Sequence, residues 1–150
     1  MEESLELFGI IKKGMGIRDI DLVDYSPLVL AYIGDSIYEI IVRTCVVTKG
    51  NTQVNKLHKK SSSYVNAHSQ AVIIMSLMDK LTDEEIRIYK RGRNAKSVTM
   101  AKNATISDYK KATGFEALMG YLYLNNETDR MLELMKSGLD YLEKNEKQQE

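Results

Sequence analysis

Three acidic residues stand inside otherwise apolar stretches of this 150-residue chain, where a carboxylate is costly unless a positive group compensates it. Asp35 and Glu39 lie four residues apart in residues 28–47, LVLAYIGDSIYEIIVRTCVV, so on a helix they share one face. Glu116 lies in a later apolar stretch, TGFEALMGYLYL. A cluster of carboxylate oxygens suits Mg²⁺ or Mn²⁺ rather than zinc. The ordinary alternative is that each acid is solvated or paired with a lysine or arginine.

Positive charge is segregated, although the net charge is zero. No acidic residue occurs in residues 40–78 or 86–107, and the second of these segments carries Arg87, Lys90, Arg91, Arg93, Lys96 and Lys102. Segregated basic charge is typical of proteins that bind a phosphate backbone. A hard cation beside such a basic segment is suited to phosphodiester hydrolysis. The alternative for the basic segment is an ordinary solvated surface.

Helices must position these residues, because no segment shows the two-residue alternation of a strand. Ser26 and Pro27 predict the start of a central helix that ends near Lys49 and Gly50. Further helices are expected over residues 52–79, divided or bent at the serine run 61–63, from Thr82 to a stop at Gly92, and over residues 107–124 and 128–143. Residues 91–105 form a predicted basic loop. The fold class is therefore all-α, with five to seven helices.

Composition is consistent with one globular domain, since 43% of the residues are hydrophobic and 28% are charged. We expect residues 1–24 to be a lead-in with at most a short helical turn, and residues 146–150 to be a charged tail. The single Cys45 excludes an internal disulfide, indicates a reducing compartment and is interpreted as a buried small hydrophobic residue. The acidic start MEESLELF lacks signal-peptide features, so a cytoplasmic protein without a membrane partner is expected.

Four segments together resemble one known family. They are LAYIGDSIYE, LHKKSSSYVNAHSQA, KRGRNAKS and TGFEALMGYLYL, and over about residues 27–125 their order and spacing resemble Mini-ribonuclease III, a bacterial relative of ribonuclease III without a double-stranded-RNA-binding domain. The resemblance implies a ribonuclease III endonuclease-domain-like helical bundle over residues 25–145. It also implies a homodimeric endoribonuclease that uses Mg²⁺, with Mn²⁺ as a substitute, to cut double-stranded RNA. In this subfamily the substrate is the stem that matures the large-subunit (23S) ribosomal RNA precursor, and a large-subunit ribosomal protein is a further candidate partner.

The same resemblance assigns the site residues. Asp35 and Glu116 match the catalytic, metal-binding carboxylates, with Glu39 and Thr113 as supporting residues. Where the larger ribonuclease III enzymes carry further carboxylates, this chain has uncharged residues: Leu28, Ala31 and Thr113. That departure keeps open an alternative function, a catalytically inactive RNA-binding or ribosome-assembly module. The residues expected to contact the RNA backbone are Lys59, Lys60, Lys90, Arg91, Arg93 and Lys96.

Overall fold

The computed structural model describes residues 6–96 and 105–148, and in these ranges the chain forms seven α-helices and no strand. The helices are α1 (Leu7–Met15), α2 (Pro27–Val47), α3 (Val54–Tyr64), α4 (Ala67–Leu77), α5 (Asp83–Asn94), α6 (Ile106–Leu124) and α7 (Thr128–Gln148). The predicted all-α class is confirmed. No helix of the described residues is long and apolar enough to cross a membrane.

Local capping sets most helix starts. The Ser26 hydroxyl accepts a hydrogen bond from the Leu28 amide, and Pro27 occupies the first helical position. Thr82 and Glu85 form a reciprocal capping box at the start of α5. The predicted long helix over residues 52–79 divides at Asn66 rather than at the serine run, because the Asn66 side chain caps α4 by accepting from the Ser69 amide at 2.8 Å.

Two sequence-based predictions are wrong in the described residues. Helix α5 continues past Gly92 to Asn94, because Gly92 is buried against α6 rather than ending the helix, so Arg91 and Arg93 lie in its last turn instead of in a loop. Cys45 is exposed rather than buried, since the helical rotation that buries Val46 turns its neighbour toward solvent. The rest of the predicted basic loop, residues 97–104 with Lys102, lies outside the described residues.

Helix α6 occupies the centre of the fold, with α2, α4, α5 and α7 packed around it. It is buried along most of its length, and Phe115, Leu118, Met119 and Leu122 are completely enclosed in the main core. Helix α2 by contrast buries one side and exposes the other. The buried side of α2 therefore faces α6. This packing determines which acidic residues of the two helices lie close together.

Residues before α2 pack on the same body. Helix α1 is longer than the short turn expected there, and the Phe8 ring lies 5.4 Å from that of Tyr123, measured between centroids. The Glu6 carboxylate accepts a hydrogen bond from the Thr128 amide at 3.2 Å, at the start of α7. Helix α7 reaches Gln148 and so extends into the expected tail. The division at residues 24 and 145 stays a prediction.

Candidate active site

Two glycines bring α2 and α6 into contact backbone to backbone. A Cβ atom added at Gly34 would overlap the carbonyl oxygen of Glu116, and one added at Gly120 would overlap the carbonyl oxygen of Leu30. Ala31 is buried in the same contact against Ala117. Glycine is normally unfavourable inside a helix, and here it permits a separation that no side chain would allow. The contact fixes the residue after Gly34, which is Asp35, beside Glu116.

Asp35 and Glu116 form a pair of carboxyl groups across this contact. Asp35 is exposed, whereas Glu116 is partly buried. Burial raises the pKa of Glu116 to about 9, and the charge of Asp35 and a hydrogen bond between the two side chains act in the same direction. Glu116 therefore holds a proton at neutral pH when no cation is present. Two adjacent carboxyl groups that cannot both ionise are a site whose charge repulsion a divalent cation would relieve.

Tyr38 is a buried neighbour of this pair. Its side chain is fully buried, and its ring meets that of Phe115 edge-on at 5.2 Å between centroids. The Tyr38 hydroxyl donates a hydrogen bond to the carbonyl oxygen of Tyr64 at 2.8 Å, which attaches the end of α3 to α2. Burial raises the pKa of Tyr38, and the nearby charges of Tyr64 and Glu116 add to this. The phenol thus stays protonated, so Tyr38 adds no charge beside the acidic pair and is held in place by its hydrogen bond.

The two supporting residues have other partners. Glu39 accepts a hydrogen bond from Arg43 at 2.7 Å on the same helix, so the ordinary alternative of an ion pair applies to it. The Thr113 hydroxyl donates to the carbonyl oxygen of Tyr109 at 3.0 Å. In residues 6–96 and 105–148 no group of three or more acidic, histidine or cysteine side chains could hold a metal ion.

The donor set at Asp35 and Glu116 is nevertheless compatible with Mg²⁺. This ion commonly uses only one or two protein carboxylates and completes its shell with water and substrate phosphate oxygens. Both side chains offer the hard oxygen donors that Mg²⁺ prefers. Two ligands are fewer than a dedicated protein cage would provide. The pair therefore fits an ion shared with a phosphate-bearing substrate.

The six predicted RNA contacts fall into two groups. Lys90, Arg91, Arg93 and Lys96 lie at the end of α5, which packs on α6 where Gly92 meets Gly114 and Ala117. The Arg93 guanidinium lies 5.6 Å from the ring centroid of Tyr89. The second group is Lys59 and Lys60 on α3. In this second group, Lys60 lies 4.9 Å from the centroid of the Tyr64 ring.

None of the six forms an ion pair with an acid in the part of the chain that the structure describes. Their positive charge is therefore available to a phosphate backbone. Arg91 differs from the others because it also lines a cavity of about 370 Å³ beneath residues 20–23.

Sequence reasoning assigned no role to Gly120 or Tyr38, and it treated Gly34 only as part of a motif. A glycine inside an apolar helical stretch was a usable signal, since it indicates that another backbone approaches closely. The identity of that backbone was not readable, because Gly34 and Gly120 are 86 residues apart. Tyr38 is a buried core aromatic, and its hydrogen bond to the Tyr64 carbonyl oxygen connects the region of the acidic pair to α3.

Comparison with known proteins shows which family this chain resembles. The Ribonuclease III domain family matches residues 28–127, a range that contains both carboxylates and both glycines of the helix contact. The chain is 52% identical to Mini-ribonuclease 3 of Clostridium tetani over 124 residues, 82% of each chain. It is 46% identical to Mini-ribonuclease 3 of Brevibacillus brevis over 126 residues, 84% of this chain and 92% of the relative.

A solved structure shows the same fold. The X-ray structure of protein FN1578 from Fusobacterium nucleatum matches with a TM-score of 0.73 and 32% identity, covering 80% of this chain and 96% of that one.

Proposed function

Because the chain belongs to the ribonuclease III family, with relatives named Mini-ribonuclease 3, and is thus an endoribonuclease, we propose that it hydrolyses double-stranded RNA at Asp35 and Glu116 with Mg²⁺. Enzymes of this family act on double-stranded RNA, use divalent metal ions and are typically dimeric. The substrate that we propose is the stem of the large-subunit (23S) ribosomal RNA precursor. A large-subunit ribosomal protein that shapes this RNA remains a candidate partner.

The observation that carries the proposal is the glycine contact between α2 and α6. It holds Asp35 and Glu116 together from two helices. In the described residues neither carboxyl group forms an ion pair with a basic side chain. When bound, Mg²⁺ would activate a water molecule and stabilise charge on the leaving oxygen. Asp35 presents its carboxylate to solvent and substrate. Glu116, in its ionised form, would be the second ligand, and the contact of Gly34 with the Glu116 backbone holds this carboxyl group beside Asp35.

Binding of the backbone is assigned to the two basic groups. Lys90 and Lys96 are exposed beside the C-terminal end of α5, and Arg93 is held near the Tyr89 ring. If these residues contact phosphates, their replacement by alanine weakens binding to all RNA sequences alike and lowers the slope of affinity against salt by about one per lost contact. An unchanged salt slope would remove the end of α5 from the interface.

Dimerisation is assigned to the outward side of α2. Four exposed apolar residues, here called the α2 stripe, follow one another at spacings of three, eight and seven residues along this side: Val29, Tyr32, Ile40 and Val47. Tyr32 is 80% exposed and lies one turn from Asp35. A two-fold axis through this stripe would place two acidic pairs on one RNA duplex, one for each strand. The interface would thus also position the two sites.

The decisive experiment compares cleavage of a structured ribosomal RNA precursor with Mg²⁺ and with EDTA. Wild-type protein should cut only with Mg²⁺, and Asp35→Asn should bind the RNA with near-normal affinity without cutting it. Asp79→Asn, a change at an exposed acid on another element, is the matched control and should cut normally. Normal cutting by Asp35→Asn would refute the assignment of the site. RNA binding without cutting by the wild type would favour the inactive module, which the small number of carboxylates suggested.

A further inference from the structure

Helix α1 exposes most of its large apolar side chains to solvent. Phe8 and Lys12 face the protein body, where the Phe8 ring packs on Tyr123. The apolar side faces outward and exposes Leu7, Ile10, Ile11 and Met15. Met15 is 74% exposed. A surface helix normally turns its apolar stripe toward the core, so an outward stripe indicates that something else covers it.

The exposed apolar surface continues beyond α1. Ile17, Ile20 and Val23 extend it, and Val23 is 77% exposed just before the start of α2. These seven residues, from Leu7 to Val23, are here called the N-terminal surface. The next exposed apolar residues along the chain are Leu28, Val29 and Tyr32, so the N-terminal surface and the α2 stripe are continuous in sequence. Of the seventeen exposed large hydrophobic residues described, ten lie in residues 7–32, a concentration that scattered surface residues would not produce.

Contacts with the protein body hold the two ends of the N-terminal surface in place. Leu22 and Tyr25 pack against the cluster of Leu30, Ala31 and Ala117. The Glu6 carboxylate accepts a hydrogen bond from the Thr128 amide at the start of α7. The chain on either side of the exposed residues is therefore anchored to the body. The apolar side cannot turn inward without breaking these contacts.

We propose that the N-terminal surface packs on a second copy of this chain and extends the dimer interface formed by the α2 stripe. The inference rests on the homodimer of the proposed function. Continuity of the two surfaces supports it, because a single partner can cover both. The two-fold symmetry of a dimer would bury the N-terminal surface twice.

The apolar area available for burial is the second argument for a second copy of this chain. The exposed fractions of the α2 stripe are equivalent to between two and three fully exposed large side chains. That amounts to roughly 400–500 Å², against the roughly 800 Å² that each partner contributes to a stable interface. The N-terminal surface adds the equivalent of nearly four more side chains. The two together reach the area that a stable dimer needs, whereas the stripe alone falls short.

Charge argues against a lipid surface as the occupant. A helix that lies on an anionic membrane carries many basic residues on its polar side. Helix α1 offers only Lys12 and Lys13, and Lys12 is already paired with Asp19. Membrane binding is therefore the alternative that the experiment must distinguish from dimerisation.

The test is sedimentation equilibrium of the full chain with Met15→Lys and, separately, Val23→Lys. Each should raise the dimer dissociation constant by at least about tenfold, because the new charge is buried in the interface. Ser62→Lys adds the same charge to an exposed position on α3 and should leave the constant unchanged. Thermal unfolding of all variants, measured at dilutions where they are monomeric, should match the wild type. Single-turnover cleavage should return to the wild-type rate at concentrations above the raised constant.

Wild-type dimerisation by both lysine variants would overturn the inference and leave the nuclease assignment intact. A wild type that stays monomeric at high concentration while cutting RNA with Mg²⁺ would overturn both the inference and the proposed homodimer. Flotation with anionic phosphatidylserine vesicles separates the membrane outcome. Wild-type binding to vesicles that Met15→Lys abolishes, with an unchanged dimer constant, would also overturn the inference.

Discussion

Replacing Glu116 with Gln should produce a protein that is more stable without metal yet inactive. The pKa of Glu116 is raised from its ordinary value of 4.5 to about 9 by burial and by Asp35. Between these values the folded state keeps a proton that the unfolded state releases, so the free energy of unfolding falls as the pH rises. Over the roughly 2.5 pH units up to neutrality the accumulated cost is about 3.4 kcal/mol. Solvent access to the partly exposed carboxyl group reduces it to about 1–3 kcal/mol.

The glutamine side chain is neutral at every pH and has nearly the same shape, so it avoids this cost. Urea unfolding in EDTA should therefore show Glu116→Gln gaining about 1–3 kcal/mol at pH 7 and only about 0.5 kcal/mol or less near pH 5. Added Mg²⁺ should stabilise the wild type and have much less effect on the variant, because one of the two proposed ligands is lost. Cleavage of double-stranded RNA by the variant should fall by at least about 100-fold.

Glu39→Gln is the matched control, since it removes a carboxylate from the same acidic pattern but only from an exposed pair with Arg43. Its unfolding free energy should change by no more than about 0.5 kcal/mol at either pH. A Glu116→Gln variant that is less stable than the wild type at pH 7 would refute the reasoning. So would a gain that does not increase from pH 5 to pH 7, because the raised pKa requires that dependence.

Two further predictions concern the packing that supports the site. Gly34→Ala should lower the free energy of unfolding in urea by at least about 3 kcal/mol, because the new Cβ would overlap the Glu116 carbonyl oxygen. Gly14→Ala is the control and should raise it by about 0.5–1 kcal/mol, because no atom lies within 4 Å of the added Cβ. Equal effects of the two changes would contradict the helix contact. Glu85→Gln should lose about 1–3 kcal/mol at pH 7, because Arg130 donates to both carboxylate oxygens and lowers the pKa of Glu85. This stability is present above the ordinary pKa of 4.5 and disappears as the pH falls through the lowered value, so the difference between wild type and variant should shrink as the pH falls below 4.5. The exposed Glu84→Gln should change by no more than about 0.5 kcal/mol, and a Glu85→Gln loss that persists at low pH would refute the ionic origin.

Local patterns in the sequence were enough to predict the helical class, most helix starts and the family. Caps such as Ser26 with Pro27 and Thr82 with Glu85 act within three or four residues, so a local pattern is enough to find them. Asp35 and Glu116 were also identifiable as candidates, because a carboxylate in an apolar stretch is unusual and because their surrounding motifs resemble a known family.

The family resemblance names Glu116 as the partner of Asp35, but the physical reason for this pairing lies in the tertiary contact between α2 and α6. The sequence offered Glu39, one helical turn away, and Glu116, which follows Asp35 by 81 residues. Glu39 pairs with Arg43, while the contact at Gly34 places Glu116 beside Asp35 and raises its pKa. Periodicity states which side of a helix is apolar, but not which backbone will approach it. The outward turn of Cys45 and the helical position of Arg91 depended in the same way on contacts with distant elements, which local patterns do not encode.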